Sequence, residues 1–297
     1  MDYTLLGKST LEISRIGFGA MSLKAGKDAN AKLLHEAVAH GVNFFDTADL
    51  YDKGMNEESI GKALKEKRKE LIIATKAGNQ WRADGSGWDW NPSPKYILEC
   101  VEKSLQRLQT DYIDLYQLHG GTMEDPIDEV IATFEKLKAQ GKIRHYGISS
   151  IRPSVIREYV KRSSIVSVMT QYSLLDRRPE EATLQLLKEN KIGVLVRGAL
   201  AQGILVDKPA KEYLGHPAVA VEKAASAIKK VSTSKTSAQT AIQYVLHHPA
   251  VTSAVVGMRT MEQLAEVLET TNAAKLSTQE YAFLQQSTPA NLYELHR

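Results

Sequence analysis

Residues Asn43 to Gly54 read NFFDTADLYDKG, an apolar run of the kind that makes a buried strand. The run ends in a carboxylate, Asp46, and the phenol of Tyr51 follows five residues later. An ionised carboxylate buried at a strand end costs several kcal/mol unless a partner compensates it. The segment therefore demands either a charge partner or a site.

Counting outward from it, short apolar or β-branched runs recur along the chain. They are SRIGFGAM, NFFDTADL, LIIATKA, IDLYQLHG, IRHYGISS, IVSVMTQYS, GVLVRGAL and TSAVVGM, eight in all. Between them, apolar residues fall at three- and four-residue spacing, as in Leu34, Ala37 and Val38 before Gly41, or Ile131, Phe134 and Leu137 before Gly141. That spacing predicts helices, and the glycines stand where helix C-caps belong. Strand and helix alternating eight times predicts a (β/α)8 TIM barrel, since parallel strands need crossover helices. A doubly wound sheet would show a GxGxxG fingerprint after its first strand, and none follows any run. The N-terminal MDYTLLGKSTLEISR carries two short alternating segments around GKST, which predicts a β-hairpin closing the bottom of the barrel. SGWDWNPSP and DKPAKEYLGHPA read as long loops, and no linker divides the chain, so residues 1–297 are expected to form one domain.

The bulk numbers agree. A chain of 297 residues, 43% hydrophobic and 25% charged, is close in size to one barrel of about 250 residues and is not of disordered composition. Thirty-eight Lys+Arg against 35 Asp+Glu gives +3 without a basic run, so nucleic acid and membrane surfaces are not expected partners. No signal-peptide pattern and no 18-residue apolar stretch is present, which predicts a cytoplasmic protein. The single cysteine, Cys100, lies among Ile97, Val101, Leu105 and Leu108 at helical spacing and is expected to be a buried structural thiol.

In a barrel, chemistry gathers at the C-terminal ends of the strands. Those ends carry Asp46 with Tyr51 in its loop, Lys76, His119, Ser149 with Ser150, and Gln171. Singly, each has an ordinary explanation as a cap or a solvated side chain. Together they form a chain in which Lys76 neutralises Asp46, its ammonium favours the ionised form of Tyr51, and His119 orients a carbonyl oxygen. Tyr51 is then the candidate proton donor.

These residues resemble the aldo-keto reductases, which are (β/α)8 barrels that reduce carbonyls with a nicotinamide cofactor. The likeness runs over essentially the whole chain: GVNFFDTADLYDKGMNEESIGKAL, with Gly54, Glu57 and Gly61, is similar to the family's aspartate and tyrosine segment, IIATKAG to its lysine segment, and DLYQLHG to its histidine segment. The tryptophan-rich NQWRADGSGWDWNPSP is similar to a bacterial subgroup. The resemblance implies a catalytic tetrad of Asp46, Tyr51, Lys76 and His119. It implies a cofactor held by Gly19, Ala20 and Met21 after the first strand and, at the nicotinamide amide, by Ser149, Ser150 and Gln171, with Ser150 standing where the family has Asn. Tyr172 is placed where an aromatic could reach the ring. The pyrophosphate is implied to lie along Arg197, Gly198, Ala199, Leu200, Ala201 and Gly203. The adenosine end falls to Gly257, Met258, Arg259 and Gln263, with Val267 where an Asn is usual after Glu266. A guanidinium at Arg259 suits a 2′-phosphate and favours NADPH, with NADH possible.

The expected reaction needs no metal: hydride transfer to an aldehyde or ketone, with proton delivery from Tyr51. Trp81, Trp88 and Trp90, with Met21, Leu50 and Tyr51, either wall the substrate pocket or pin the loop to the barrel. Two rival readings are a Schiff-base aldolase using Lys76, disfavoured by the adjacent Asp46, and a slow cofactor-binding redox sensor or regulatory subunit. The expected partner is a small carbonyl compound, with the protein a monomer or weak homo-oligomer.

Overall fold

The structure, a computed structural model, describes residues 1–23 and 28–297, with Asp28 and Ala29 described by their backbone alone. Strands β1 (Tyr3–Leu5) and β2 (Glu12–Ser14) form an antiparallel hairpin, followed by β3 (Ile16–Gly19), helix α1 (Asp28–Ala39), β4 (Phe44–Asp46), α2 (Met55–Leu64) and β5 (Ile72–Ala77). A second antiparallel hairpin, β6 (Asn79–Trp81) with β7 (Trp88–Trp90), precedes α3 (Pro94–Leu108), β8 (Ile113–Leu118), α4 (Ile127–Ala139), β9 (Ile143–Ser149) and α5 (Pro153–Arg162). The chain continues through β10 (Ser167–Gln171), α6 (Thr183–Glu189), β11 (Gly193–Arg197), α7 (Ala218–Val231), α8 (Ser237–His247), β12 (Val251–Gly257), α9 (Met261–Leu268) and α10 (Thr278–Gln286). Strands β3, β4, β5, β8, β9, β10, β11 and β12 pair in parallel and in that order, and β12 closes onto β3. The eight apolar runs are the eight strands of this (β/α)8 barrel.

Local chemistry starts and stops the helices. Ser93 accepts from the Tyr96 amide and Pro94 takes the first helical position of α3, while Thr236 with Gln239 and Ser277 with Glu280 make capping boxes for α8 and α10. Gly41 and Gly141, just after α1 and α4, take φ of +86° and +74°, the left-handed C-cap conformation expected of them. Helix α3 buries Ile97, Cys100, Val101, Ser104 and Leu108 along one face, each large apolar side chain contributing roughly 1.5–3 kcal/mol. Cys100 is thus a core thiol, and burial followed by the nearby Asp49 pushes it up to about 12.

Strand periodicity decides what faces the inside. Phe44, Ala74, Leu115, Met169, Leu195 and Val255 point into the barrel, where Leu6, Leu11 and Ile13 of the N-terminal hairpin segment join them in one buried cluster. The hairpin therefore plugs the bottom, as its alternation predicts. Two residues further along each strand the side chain faces inward again. That step brings Asp46, Lys76, Gln117, Gln171 and Arg197 to the next layer toward the mouth. Phe45, Tyr116, Val168 and Val196 face outward and pack under the helices. Among the described residues no helix is long and apolar enough to cross a membrane.

Candidate active site

At the mouth the Lys76 ammonium lies 2.6 Å from Asp46 Oδ2, 2.7 Å from the Thr47 carbonyl oxygen and 3.4 Å from the Tyr51 hydroxyl. Its three protons are thereby spent on three oxygens. The side chain is 0% exposed, and Gln117 Nε2 supports the far oxygen of Asp46 at 3.4 Å. Burial works to lower Lys76, but Asp46 and then Tyr51 outweigh it and hold the ammonium above its ordinary value. Burial also pushes Asp46 up, against the pull of Lys76. At a 2.6 Å separation the charged pair is the state we assign, because either charge left alone in this interior would be far costlier. A lysine held charged in this way is no Schiff-base nucleophile, which removes the aldolase reading.

His119 follows β8, its amide donating to the Ala77 carbonyl oxygen at 2.8 Å and its own carbonyl accepting from Asn79 Nδ2 at 3.1 Å. Its ring meets Tyr51 edge to face, with centroids 5.8 Å apart. Burial, then Lys76 and Arg197, push the imidazole down to about 3, so it is neutral at physiological pH. Nδ1 is buried without a hydrogen-bond partner. A neutral imidazole beside a phenol and an ammonium can donate one N–H to an oxygen that gains negative charge.

Behind these four lies a layer whose roles have no signal in spacing. Glu57, fully buried, accepts from Thr75 Oγ1 at 2.5 Å and from Arg107 at 2.6 and 2.7 Å. Asp49, on the loop between Asp46 and Tyr51, is buried against Tyr96 and Cys100. Burial, with Glu57 adding repulsion, raises its carboxyl to about 7. Arg107 reaches Glu57 because α2 and α3 pack side by side, and Tyr96 of the same α3 reaches Asp49 on the loop that precedes α2.

The residues expected around a nicotinamide nucleotide line the same mouth. The Gln171 carboxamide accepts from Arg197 Nη1 at 2.7 Å and donates to Asp176 Oδ2 at 2.9 Å. Asp176 is fully buried and fixed by Arg178 at 2.7 and 2.8 Å. Arg197 thus sits beside Gln171, near enough to bear on Asp46 and His119, at the centre of the mouth rather than out along the glycine loop. Ser149 is half-buried, and Ser150 is buried with its hydroxyl accepting from the Arg152 amide. Beyond Arg197 the backbone of Gly198, Ala201, Gln202 and Gly203 is left-handed, with φ of +78°, +46°, +60° and +90°. Ala199 and Ala201 are buried and Leu200 half-buried, and the amides of Ala201 and Gly203 bond back to the Gly198 and Leu200 carbonyl oxygens, which fixes the turn.

Gly19 pairs with Gly257 at the end of β12, a Cβ on Gly257 would meet Ser22 Oγ at 3.2 Å, Ala20 is buried, and Met21 is 69% exposed. Met258 is fully buried and offers only its backbone. Arg259 is exposed, its amide donates to Gln263 Oε1 at 2.9 Å, and Thr260 caps α9. This capped, exposed helix N-terminus with a guanidinium beside it suits phosphate. Val267 is buried in the core, turned away from this surface.

Two expectations need correction. Tyr172 is fully buried, donates to Glu180 at 2.8 Å and packs against Tyr244 and His248. It follows the inward-facing Gln171 directly, so strand alternation turns it out of the barrel and away from any cofactor. SGWDWNPSP is not wholly loop either, since Trp88–Trp90 pairs with Asn79–Trp81. The tryptophans divide: Trp81 Nε1 donates to the Leu50 carbonyl oxygen at 3.0 Å, Trp90 Nε1 to Asp125 at 2.9 Å, and Trp88 is 49% exposed. Trp81 and Trp90 pin the loop. Among the described residues, no group of three or more His, Cys, Asp or Glu could hold a metal.

Comparison with known proteins places this architecture. The model of the Aldo/keto reductase family matches residues 15–288. The Bacillus subtilis protein named "Uncharacterized oxidoreductase YqkF" is 49% identical over 301 residues, covering 98% of each chain. The NADH-specific methylglyoxal reductase of Escherichia coli is 34% identical over 229 residues, covering 70% of each chain. The solved holo form of aldo-keto reductase AKR11C1 from Bacillus halodurans superposes with a TM-score of 0.95 at 45% identity, covering 100% of this chain and 99% of that one. The chain belongs to the aldo/keto reductase family and is an NAD(P)H-dependent oxidoreductase.

Proposed function

We propose that this chain is a cytoplasmic reductase of aldehydes or ketones that uses NADPH, with Tyr51 as the proton donor. The observation that carries the reading is the buried Lys76, bonded to Asp46 at 2.6 Å and reaching the Tyr51 hydroxyl at 3.4 Å at the mouth of the barrel. When bound, NADPH supplies the hydride that reaches the carbonyl carbon. Tyr51 gives its proton to the carbonyl oxygen, and the Lys76 ammonium stabilises the negative charge left on the phenol oxygen. Asp46 keeps that ammonium charged although it is buried. His119, neutral, donates a hydrogen bond to the same oxygen and fixes its direction.

The residues present fit the nucleotide. The Gln171 carboxamide with Ser149 and Ser150 would hold the nicotinamide amide, and Arg197 stands beside them. Gly19 and its neighbours Ala20 and Met21 would border the cofactor along β3, where Gly19 and Gly257 leave room that a Cβ would narrow. The turn from Gly198 to Gly203, left-handed at Gly198, Ala201, Gln202 and Gly203, would border the pyrophosphate, and the start of α9 with Gly257, Met258, Arg259 and Gln263 would receive the adenosine end. Arg259 favours NADPH over NADH, because a guanidinium rewards a 2′-phosphate and gains nothing from a hydroxyl. One relative's name records NADH specificity, so both nucleotides belong in the test. It is a fluorescence titration with NADPH and NADH, followed by nucleotide oxidation with a panel of small aldehydes and ketones. Tyr51→Phe should keep nucleotide binding and lose carbonyl reduction by at least about 10²-fold. Reduction near wild type would show that the proton comes from elsewhere.

A further inference from the structure

We propose that the hairpin β6–β7 is a brace that sets the Tyr51 loop against His119, with Trp81 and Trp90 as positioning residues for the reaction. The inference rests on the reading of Tyr51 as the proton donor. It answers a problem visible in the backbone. Immediately after Tyr51, Asp52 and Lys53 take φ of +51° and +55°, and Gly54 takes +90°. Two consecutive non-glycine residues in the left-handed region persist only where their surroundings hold them.

Trp81 holds this loop on both sides of Tyr51. Its indole N–H donates to the carbonyl oxygen of Leu50, the residue before Tyr51, at 3.0 Å. Its ring carries the Lys53 ammonium 5.1 Å from the centroid, two residues after Tyr51. Trp90 grips the other loop. Its ring lies so close over Gly78 and Gly120 that a Cβ on either would sit 2.6 or 3.0 Å from it, and Gly120 directly follows His119. Its indole N–H donates to Asp125 Oδ1 at 2.9 Å, whose carboxylate also accepts from Thr122. Asn79 adds a bond from its amide to the His119 carbonyl oxygen.

The two anchors are tied to each other. Trp81 pairs with Trp88 and Trp90 with Asn79 across the hairpin, and Arg82 grips Asp89 with bonds of 2.6 to 3.1 Å. The Tyr51 and His119 loops are thereby joined by a short stiff ribbon rather than by the barrel alone. Catalytic groups misplaced by about 1 Å can lose some 10²-fold in rate, which is the need such a ribbon meets.

The test is a double-mutant cycle in full-length protein. Trp81→Phe keeps an aromatic face for Lys53 and removes, with the pyrrole ring, the donor to Leu50. It should lower kcat by about tenfold while carbonyl KM and NADPH affinity stay within about twofold. In a Tyr51→Phe background the same change should have no further effect on kcat, because the group it positions is gone. Trp90→Phe, acting through the His119 loop, should likewise lower kcat with nucleotide affinity kept. If Trp81→Phe leaves kcat unchanged, or if its effect multiplies with that of Tyr51→Phe while KM rises for bulky carbonyls, Trp81 is a substrate wall and the brace is wrong. In both of those cases Tyr51→Phe alone still loses turnover, so only the brace fails. A Tyr51→Phe enzyme at wild-type turnover sinks the proton-donor reading and, with it, the brace.

Discussion

Lys76 and Asp46 form a buried ion pair 2.6 Å across, and the same ammonium is within 3.4 Å of Tyr51. Removing one charge of such a pair strands the other. Asp46→Asn should therefore destabilise the fold by about 3 kcal/mol or more in urea unfolding and abolish most turnover. Adding Lys76→Met should recover part of the stability and none of the activity.

His119 gives a pH signature. The folded imidazole stays neutral down to about 3, whereas an unfolded one accepts a proton near 6.5. Between those values the unfolded chain binds more protons, so this residue makes stability fall as pH drops from about 6.5 toward 3. Comparing urea midpoints at pH 7 and pH 5, the loss should be larger in wild type than in His119→Gln. Turnover should show no His119 titration between about pH 5 and 8.

Asp49 has the opposite sign. Burial first, and Glu57 second, raise it to about 7 in the fold, against about 3.9 unfolded. The folded chain keeps a proton that the unfolded chain releases, so stability from this group is present below about pH 4 and is lost as pH rises to 7. Asp49→Asn should match wild type near pH 4 and exceed it at pH 8 by about 1 kcal/mol or more, read from thermal melts at the two pH values. Equal stability at pH 8 would show that Asp49 is ionised without cost.

Gly61 faces the backbone of α3. A Cβ there would meet the Arg107 carbonyl oxygen at 2.5 Å and Leu108 main-chain atoms at 2.6 Å. Its backbone is ordinary helix, so the cost of Gly61→Ala is packing and not strain: about 1–3 kcal/mol as α2 is pushed from α3. Because Arg107 also holds Glu57 beside Thr75, turnover should fall along with the melting temperature.

Arg259→Ala tests the nucleotide preference. It should weaken NADPH about tenfold or more, the worth of a charge-assisted bond to phosphate, and leave NADH within about twofold. Equal losses for both nucleotides would place Arg259 elsewhere on the cofactor.

The eight strands, the hairpin plug and the order Asp46, Tyr51, Lys76, His119 are legible in the sequence because each depends on local rules. A parallel strand buried on both faces must be an apolar run, period two places alternate residues inside, and polar residues at strand ends converge once eight strands close. The same rule applied one residue further would have turned Tyr172 outward. Arg107 against Glu57, Asp49 against Cys100 and Tyr96, and the reach of Arg197 to Gln171 were decided only by tertiary structure. They join residues 26 to 51 positions apart whose side chains meet through helix packing or strand pairing, and no spacing along the chain encodes that. So too the tryptophan ribbon: composition shows three indoles in one segment, and only the fold shows that two of them are spent on the loops beside Tyr51 and His119 while the third faces solvent. Local sequence determined which side chains reach the mouth; long-range packing decided what holds them there.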